Sequence, residues 1–303
     1  MLSIKIKDIE FNSPIVAASG TYGYGDEFDS FVDLTKIGCI ITKSITVEER
    51  IGNPSPRVYE SGSGMINAIG LANMGVKNFC KLKVEKLNKI KTKFIVSVAG
   101  SEIQDYIDVV TQIEKCDGSH VGYEINISCP NVKKGGMEFG VNKEVAEKLT
   151  AELRKLTSKL LIVKLSPNVT SIEDIGISVQ NGGADAISAV NTFTGLGINY
   201  NTGNMVLSTI YGGVSGPPIK PLALAKVHKL YNKVKIPIFG MGGIVSLKDI
   251  IEFIRVGSSM VQVGTLNYRD PSKINSLYDQ LKLFLIKNKI DSISELIGKY
   301  NVI

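Results

Sequence analysis

Apolar residues in this chain gather into short, nearly unbroken runs, separated by longer segments with a different rhythm. Eight runs stand out: IVAAS (15–19), CIITKS (39–44), FIVSVAG (94–100), YEINIS (123–128), LIVKLS (161–166), AISAVN (186–191), IPIFGMGG (236–243) and MVQVGT (260–265). Their continuity in Val, Ile and Ala predicts strands buried on both faces. Between them the period lengthens. EVAEKLTAELRKL (144–156) sets Val145, Leu149, Leu153 and Leu156 on one helical stripe, and SLKDIIEFIRVG (246–257) predicts a helix that starts at a Ser cap and stops at Gly257. Strand alternating with helix implies a parallel sheet, and eight such units in 303 residues fit an α/β fold, a (β/α)8 TIM barrel. An open Rossmann-like sheet is the alternative, weakened because no GxGxxG opens a helix after an early strand. MLSIKIKDIEF alternates like a strand, so an N-terminal β-hairpin over about residues 2–12 is expected to cap the barrel bottom. Residues 45–74, rich in Gly, Pro and Asn, read as a long irregular loop after strand 2, and loops of that length are usually functional. No linker or low-complexity stretch interrupts the pattern, so a single domain over 1–303 is expected.

Composition narrows the function classes. The net charge of +6 is mild, and its 35 Lys and Arg form no run long enough for a nucleic-acid tail. No stretch is apolar enough to cross a membrane, and the N-terminus lacks the basic and apolar regions of a signal peptide. The four cysteines, at 39, 80, 116 and 129, show no CxxC pairing. That argues against a zinc or iron–sulfur site in this chain and for reduced thiols in a cytoplasm.

In a (β/α)8 barrel the active site lies at the carboxyl ends of the strands. The predicted strand ends carry Ser19, Lys43 with Ser44, Ser97, Asn126 with Ser128, Lys164, Asn191 with Thr192, Gly242 with Gly243, and Gly264 with Thr265. Lys43 and Lys164 interrupt otherwise apolar strands. Either one alone could be a stem that packs while its amine reaches water; two at equivalent ends point to one concave site. Asn67, Asn126, Asn131 and Asn191 add amides, each with one acceptor and two donors, suited to a small planar ligand with alternating C=O and N–H groups. GMGGI (240–244) and VGT (263–265) fall after strands 7 and 8, where backbone N–H groups and a helix N-terminus commonly hold phosphate; plain turn glycines are the alternative. GGVSGPPIKP (212–221) shapes a wall beyond strand 6.

Cys129 lies in the loop after strand 4, on the same rim. A thiol can be mere apolar filler. Here Gly135 and Gly136 let the loop bend, and nearby lysines would lower a thiol pKa from its ordinary ~8.5 toward neutrality. Histidine is the default proton acceptor, but His120 precedes strand 4, at the wrong end of the barrel, and His228 sits inside a predicted helix. Cys129 is therefore the best candidate base.

NAIGLAN (67–73), NISCPN (126–131), VKLSPN (163–168), NTFTG (191–195), GGVSGPPIKP (212–221), GMGGI and VGT, in this order over nearly the whole chain, resemble the dihydroorotate dehydrogenase family. The set is specific; no single piece is. The resemblance implies an FMN-dependent barrel that oxidises dihydroorotate to orotate in pyrimidine synthesis. Cys in the SCPN loop resembles the soluble class 1 enzymes, and SCPNVKKGG the NAD-linked class 1B catalytic subunit more than the fumarate-using subclass. It implies Cys129, Lys43 and Lys164 as catalytic residues. Cofactor contacts would come from Ser19, Lys43, Ser44, Ser97, Asn126, Lys164, Val190, Gly216, Gly242, Gly243, Gly264 and Thr265. Substrate contacts would come from Lys43, Asn67, Ala68, Ile69, Gly70, Leu71, Asn126, Asn131, Asn191 and Thr192. It also implies a homodimer core, a partner subunit carrying FAD and a [2Fe–2S] cluster, no metal in this chain and a cytoplasmic setting. Ser97 departs from the Asn usual in this subclass, and Ala72 and Met74 depart from the usual substrate loop. A dihydrouridine synthase-like tRNA reductase is a second flavin reading, but only about 15 residues follow the helix near 272–288, too few for an RNA-binding domain. A non-flavin barrel acting on a phosphorylated substrate and a catalytically dead barrel are further alternatives.

Overall fold

In the computed structural model, which describes residues 1–28, 30, 32–128 and 140–302, all eight apolar runs become barrel strands. A hairpin of β1 (Ile4–Ile6) and β2 (Ile9–Phe11) comes first, then β3 (Ile15–Ala17) and β4 (Cys39–Ile41). A second hairpin follows, β5 (Val58–Ser61) and β6 (Gly64–Asn67), with helices α1 (Gly75–Leu82) and α2 (Val84–Leu87). Alternation then sets in: β7 (Lys93–Val98), α3 (Ile103–Glu114), β8 (Gly122–Asn126), α4 (Lys143–Leu156), β9 (Leu160–Lys164), α5 (Ile172–Asn181) and β10 (Ala186–Ala189). The short strands β11 (Phe193–Gly195) and β12 (Gly212–Ser215) precede α6 (Lys220–Tyr231), β13 (Ile238–Met241), α7 (Leu247–Arg255), β14 (Met260–Val263), α8 (Leu266–Arg269) and α9 (Lys273–Lys287).

The barrel closes in the order β3-β4-β7-β8-β9-β10-β13-β14, each strand parallel to its neighbours. This is the expected (β/α)8 topology. Strands so enclosed need apolar side chains on both faces, and β3, β4 and β10 are buried at every position. Helix ends follow local chemistry. Ser246 and Asp249 form a reciprocal capping box at the start of α7, and Gly257, at φ +121, follows its end.

The β1–β2 hairpin lies at the amino end of the barrel, as expected. Lys7 Nζ donates to the carbonyl of Ser158 at 2.7 Å and pairs with Asp185 at 3.2 Å, beside the starts of β9 and β10. The α4 stripe differs from expectation: Ala146, Leu149, Thr150 and Leu153 are buried, whereas Leu156 is exposed. The buried stripe is rotated by one position, and Thr150 tolerates burial because its hydroxyl donates to Ala146 O at 2.7 Å. Residues 45–74 are not irregular throughout. Their hairpin joins β11 and β12 in a four-stranded antiparallel sheet, ordered β11-β12-β6-β5, beyond the carboxyl ends of β4 and β10.

Candidate active site

At the carboxyl end of the barrel a cavity of about 680 Å³ opens beneath the antiparallel sheet. Strand ends and their following loops supply its walls, so residues remote in sequence converge there. Of the residues singled out from sequence, Ser19, Lys43, Ser44, Asn67, Ile69, Leu71, Lys164, Val190, Asn191, Thr192, Gly216, Gly242, Gly243, Gly264 and Thr265 line it. Ala68, Gly70, Ser97 and Asn126 do not. Ala68 donates its N–H to Arg57 O at 2.9 Å, and Gly70 turns at φ +75 against Asn53. Asn126 stands behind Asn191, whose Nδ2 donates to Asn126 Oδ1 at 3.3 Å. Ser97 is fully buried. Cys129 and Asn131 lie outside the described residues.

Lys164, the last residue of β9, is 8% exposed and faces the fully buried Glu124 of β8, with Nζ 3.6 Å from Oε1. Lys43 stands two residues beyond β4 rather than inside it. Burial, and then the neighbouring charge of Arg57, hold its amine below the ordinary lysine range. Arg57 itself lines the cavity and makes long contacts, at 3.3 and 3.5 Å, to the carbonyls of Ile51 and Asn53. Three cationic side chains thus face the space, and among the described residues no carboxylate lines it. The cavity selects for negative charge.

At the β13–β14 side the wall is backbone. Gly242 and Gly243 hold φ of +130 and +78, and a Cβ on them would approach Ala223 Cβ to 2.6 Å and Gly216 O to 2.8 Å. A Cβ on Gly264 would meet only Ala18, at 3.7 Å. Among the described residues the N–H groups of Gly242, Gly243, Gly264 and Thr265 make no hydrogen bond to the protein. Such unpaired donors suit a phosphate. At the start of α7, Asp249 accepts from the N–H groups of Val245 and Ser246, at 3.0 and 2.8 Å. An apolar floor and side from Ala18, Val190, Met241 and Ile244 completes a slot fit for a flat ring with a phosphorylated tail.

Sequence reading missed Arg57, Tyr268, Gln262 and Glu124. The first two gave no periodic signal. Glu124 and Gln262 did, as single polar residues inside the apolar runs YEINIS and MVQVGT. His120, at the amino end of the barrel, is buried and hydrogen-bonded to the Tyr123 hydroxyl at 2.8 Å, away from the cavity. His228 lies on α6 and contacts the Tyr300 hydroxyl at 2.8 Å. No helix among the described residues is long and apolar enough to cross a membrane.

Comparison with known proteins adds independent support. A family model described as dihydroorotate dehydrogenase matches residues 1–285. A protein of Geotalea daltonii named dihydroorotate dehydrogenase B (NAD(+)), catalytic subunit, is 42% identical over 301 residues, covering 99% of this chain and 98% of the relative. Proteins of the same name from Bacteroides thetaiotaomicron and Thermoanaerobacter sp. are each 41% identical, covering 99% of both chains. A match of this length, on a barrel whose mouth gathers the very side chains the motifs carry, has one reading: the chain belongs to the dihydroorotate dehydrogenase family.

Proposed function

We propose that this chain is the catalytic subunit of an NAD+-linked enzyme that oxidises dihydroorotate to orotate in pyrimidine synthesis, with FMN as its resident cofactor. The observation that carries the reading is the cavity wall: among the described residues, three cations, no carboxylate and a glycine rim of unpaired N–H groups, on a chain whose relatives bear that name. The group and its site fit. Backbone at Gly216, Gly242, Gly243, Gly264 and Thr265 would take the phosphate, and Lys164, Ser19, Ser44 and Gln262 would meet the ring. FMN, when bound, supplies a two-electron acceptor for the hydride leaving substrate C6.

The remaining steps belong to the protein's residues. Asn67, Asn191 and Thr192 read the amide edges of the substrate, with Asn126 holding Asn191 in place. Lys43 and Arg57 give the substrate carboxylate a positive field, beside the backbone of Ile69 and Leu71. Cys129 is the residue after Ser128, whose hydroxyl donates to Lys164 O, at the carboxyl end of β9, at 3.4 Å. As thiolate, Cys129 takes the proton from C5 while the C6 hydride departs, which balances dihydroorotate against orotate. The name "catalytic subunit" borne by the relatives points to a second chain. We assign FAD and a [2Fe–2S] cluster to that partner, and propose a homodimeric core in the cytoplasm.

The test begins with the visible spectrum. The purified chain should be yellow and release FMN on denaturation. Dihydroorotate should bleach the wild type, while Cys129→Ala should retain FMN and bind orotate but bleach at least a hundredfold more slowly. Cys129→Ser should recover rate at high pH, since a hydroxyl deprotonates less readily than a thiol. A colourless wild type would sink the flavin reading, and wild-type bleaching by Cys129→Ala would sink the assignment of the base.

A further inference from the structure

Behind Lys164 and Gln262, which line the cavity, stand two buried polar groups to which the proposed chemistry gives no role, Glu124 and Ser188. Glu124 of β8 has no solvent exposure, and a buried carboxylate persists only where other groups compensate it. Its Oε2 accepts from Ser188 Oγ of β10 at 2.7 Å and from Gln262 Nε2 of β14 at 2.8 Å. The same amide donates to Ser188 Oγ at 2.7 Å, closing a three-strand ring of hydrogen bonds. Glu124 Oε1 has no hydrogen-bond partner among the described residues and stands 3.6 Å from Lys164 Nζ. Lys164 in turn makes no side-chain hydrogen bond to any described residue, and it lines the cavity. The carboxylate is therefore locked by two strands, and its open oxygen confronts the amine of a third.

A further titratable group also feels the charge of Glu124. Cys39 of β4 is held as a neutral thiol, by burial first and then by that carboxylate. The charged neighbours of Lys43 are Arg57 and Glu27 instead. Glu124 and Lys164 thus face each other in the barrel interior.

We infer that Glu124 is a positioning residue: from behind the cavity wall it fixes the Lys164 amine and offsets its charge, and so sets how readily the bound flavin accepts electrons. The inference rests on the FMN reading above. A cation near the ring favours the reduced, more negative form, and a carboxylate behind that cation weakens the preference.

Glu124→Gln keeps the shape and removes the charge. In the flavin-loaded chain it should raise the two-electron midpoint potential, with oxidised FMN losing about tenfold in affinity relative to reduced FMN, equivalent to about 30 mV. Glu124→Asp, which keeps the charge, should lie closer to wild type. In the flavin-free protein Lys164→Gln strands the carboxylate and should lower the melting temperature, and adding Glu124→Gln should recover part of the loss. That double variant also carries the test if Glu124→Gln alone does not fold. An unmoved or lowered potential in folded Glu124→Gln, or additive losses in the double variant, would overturn the proposal. A wild-type chain that binds no flavin would overturn the FMN reading with it, whereas normal flavin binding with an unmoved potential would overturn this inference alone.

Discussion

Ser97 Oγ lies 2.8 Å from Ser44 Oγ, and only Ser44 of the two faces the cavity. Ser97 is fully buried on β7, and its own N–H donates to Thr42 Oγ1 at 3.1 Å. Its hydroxyl therefore reaches the cavity only through Ser44, whose orientation it fixes. Ser97→Ala should cost about 1 kcal/mol of stability, the ordinary value of one lost hydrogen bond, and weaken FMN retention several-fold. Ser97→Asn should cost about 1–3 kcal/mol, because a larger side chain must fit a filled site. Thermal melts and flavin titration of the two variants would decide it. Unchanged retention in Ser97→Ala would mean that Ser44 needs no such partner.

The depressed amine of Lys43 gives a pH prediction with a definite sign. A lysine held below its usual range loses its proton earlier as pH rises. Orotate affinity should therefore fall on the alkaline side before an ordinary lysine would titrate, and Lys43→Met should abolish that limb. Arg57 is one cause of the depression. Arg57→Gln should weaken orotate binding at neutral pH, roughly tenfold for one lost charge contact, yet shift the alkaline limb upward. Isothermal titration between pH 7 and 10.5 would show both effects. A limb moving downward in Arg57→Gln would contradict the assignment.

His120 makes a stability prediction far from the chemistry. Burial first, then the charge of Lys159, pull its pKa from 6.5 down to about 4. In the unfolded chain the imidazole protonates near its ordinary value, so between these limits the unfolded state binds more protons. The contribution is fully present above pH 6.5 and is lost as pH falls toward 4. The total is about 3 kcal/mol. Replacing His120 by Gln should flatten the acid slope of stability across that window relative to wild type. Urea melts at pH 7 and pH 4.5 measure the difference; parallel slopes for the two proteins would refute it.

The barrel was legible because its strands are buried on both faces, which leaves continuous runs such as LIVKL and AISA that no helix period imitates. The antiparallel sheet over the mouth was not. Its strands VYES, GMIN, FTG and GGVS are short and rich in Gly, and β6 finds its partner β12 across 146 residues, as in the bond from Asn67 Nδ2 to Gly213 O. Local pattern cannot encode such a pairing. The same divide runs through the cavity. Lys43, Lys164 and Asn191 end apolar runs, so barrel topology alone assigned them to the rim. Glu124 and Gln262 sit inside their strands, and only closure of the barrel decides whether an isolated polar residue faces inward or toward a helix. Ser97, read as a wall residue, turned out one layer deeper.

Electrons must leave the reduced cofactor on every turnover, and the route predicts how the isolated chain behaves. Among the described residues no His, Cys, Asp and Glu cluster could hold a metal. Cys39 is buried, and burial first, then the neighbouring Cys116, push the Cys80 thiol up to about 12. Such thiols are poor ligands for an iron–sulfur cluster, which takes thiolates. The chain also lacks a GxGxxG turn for a dinucleotide. On the function proposed above, the NAD+ that the relatives' names print is reached through another chain. Purified alone, the protein should be reduced by dihydroorotate within seconds but should pass electrons to NAD+ at under about 1% of the rate seen once a flavin and iron–sulfur partner is added, since hydride transfer needs an oriented nicotinamide site. Stopped-flow reduction and steady-state NADH formation, with and without partner, make the comparison. Rapid turnover with fumarate by the isolated chain, or NADH formation without partner, would remove the need for the second subunit while leaving the assignment of Cys129 and Lys164 intact.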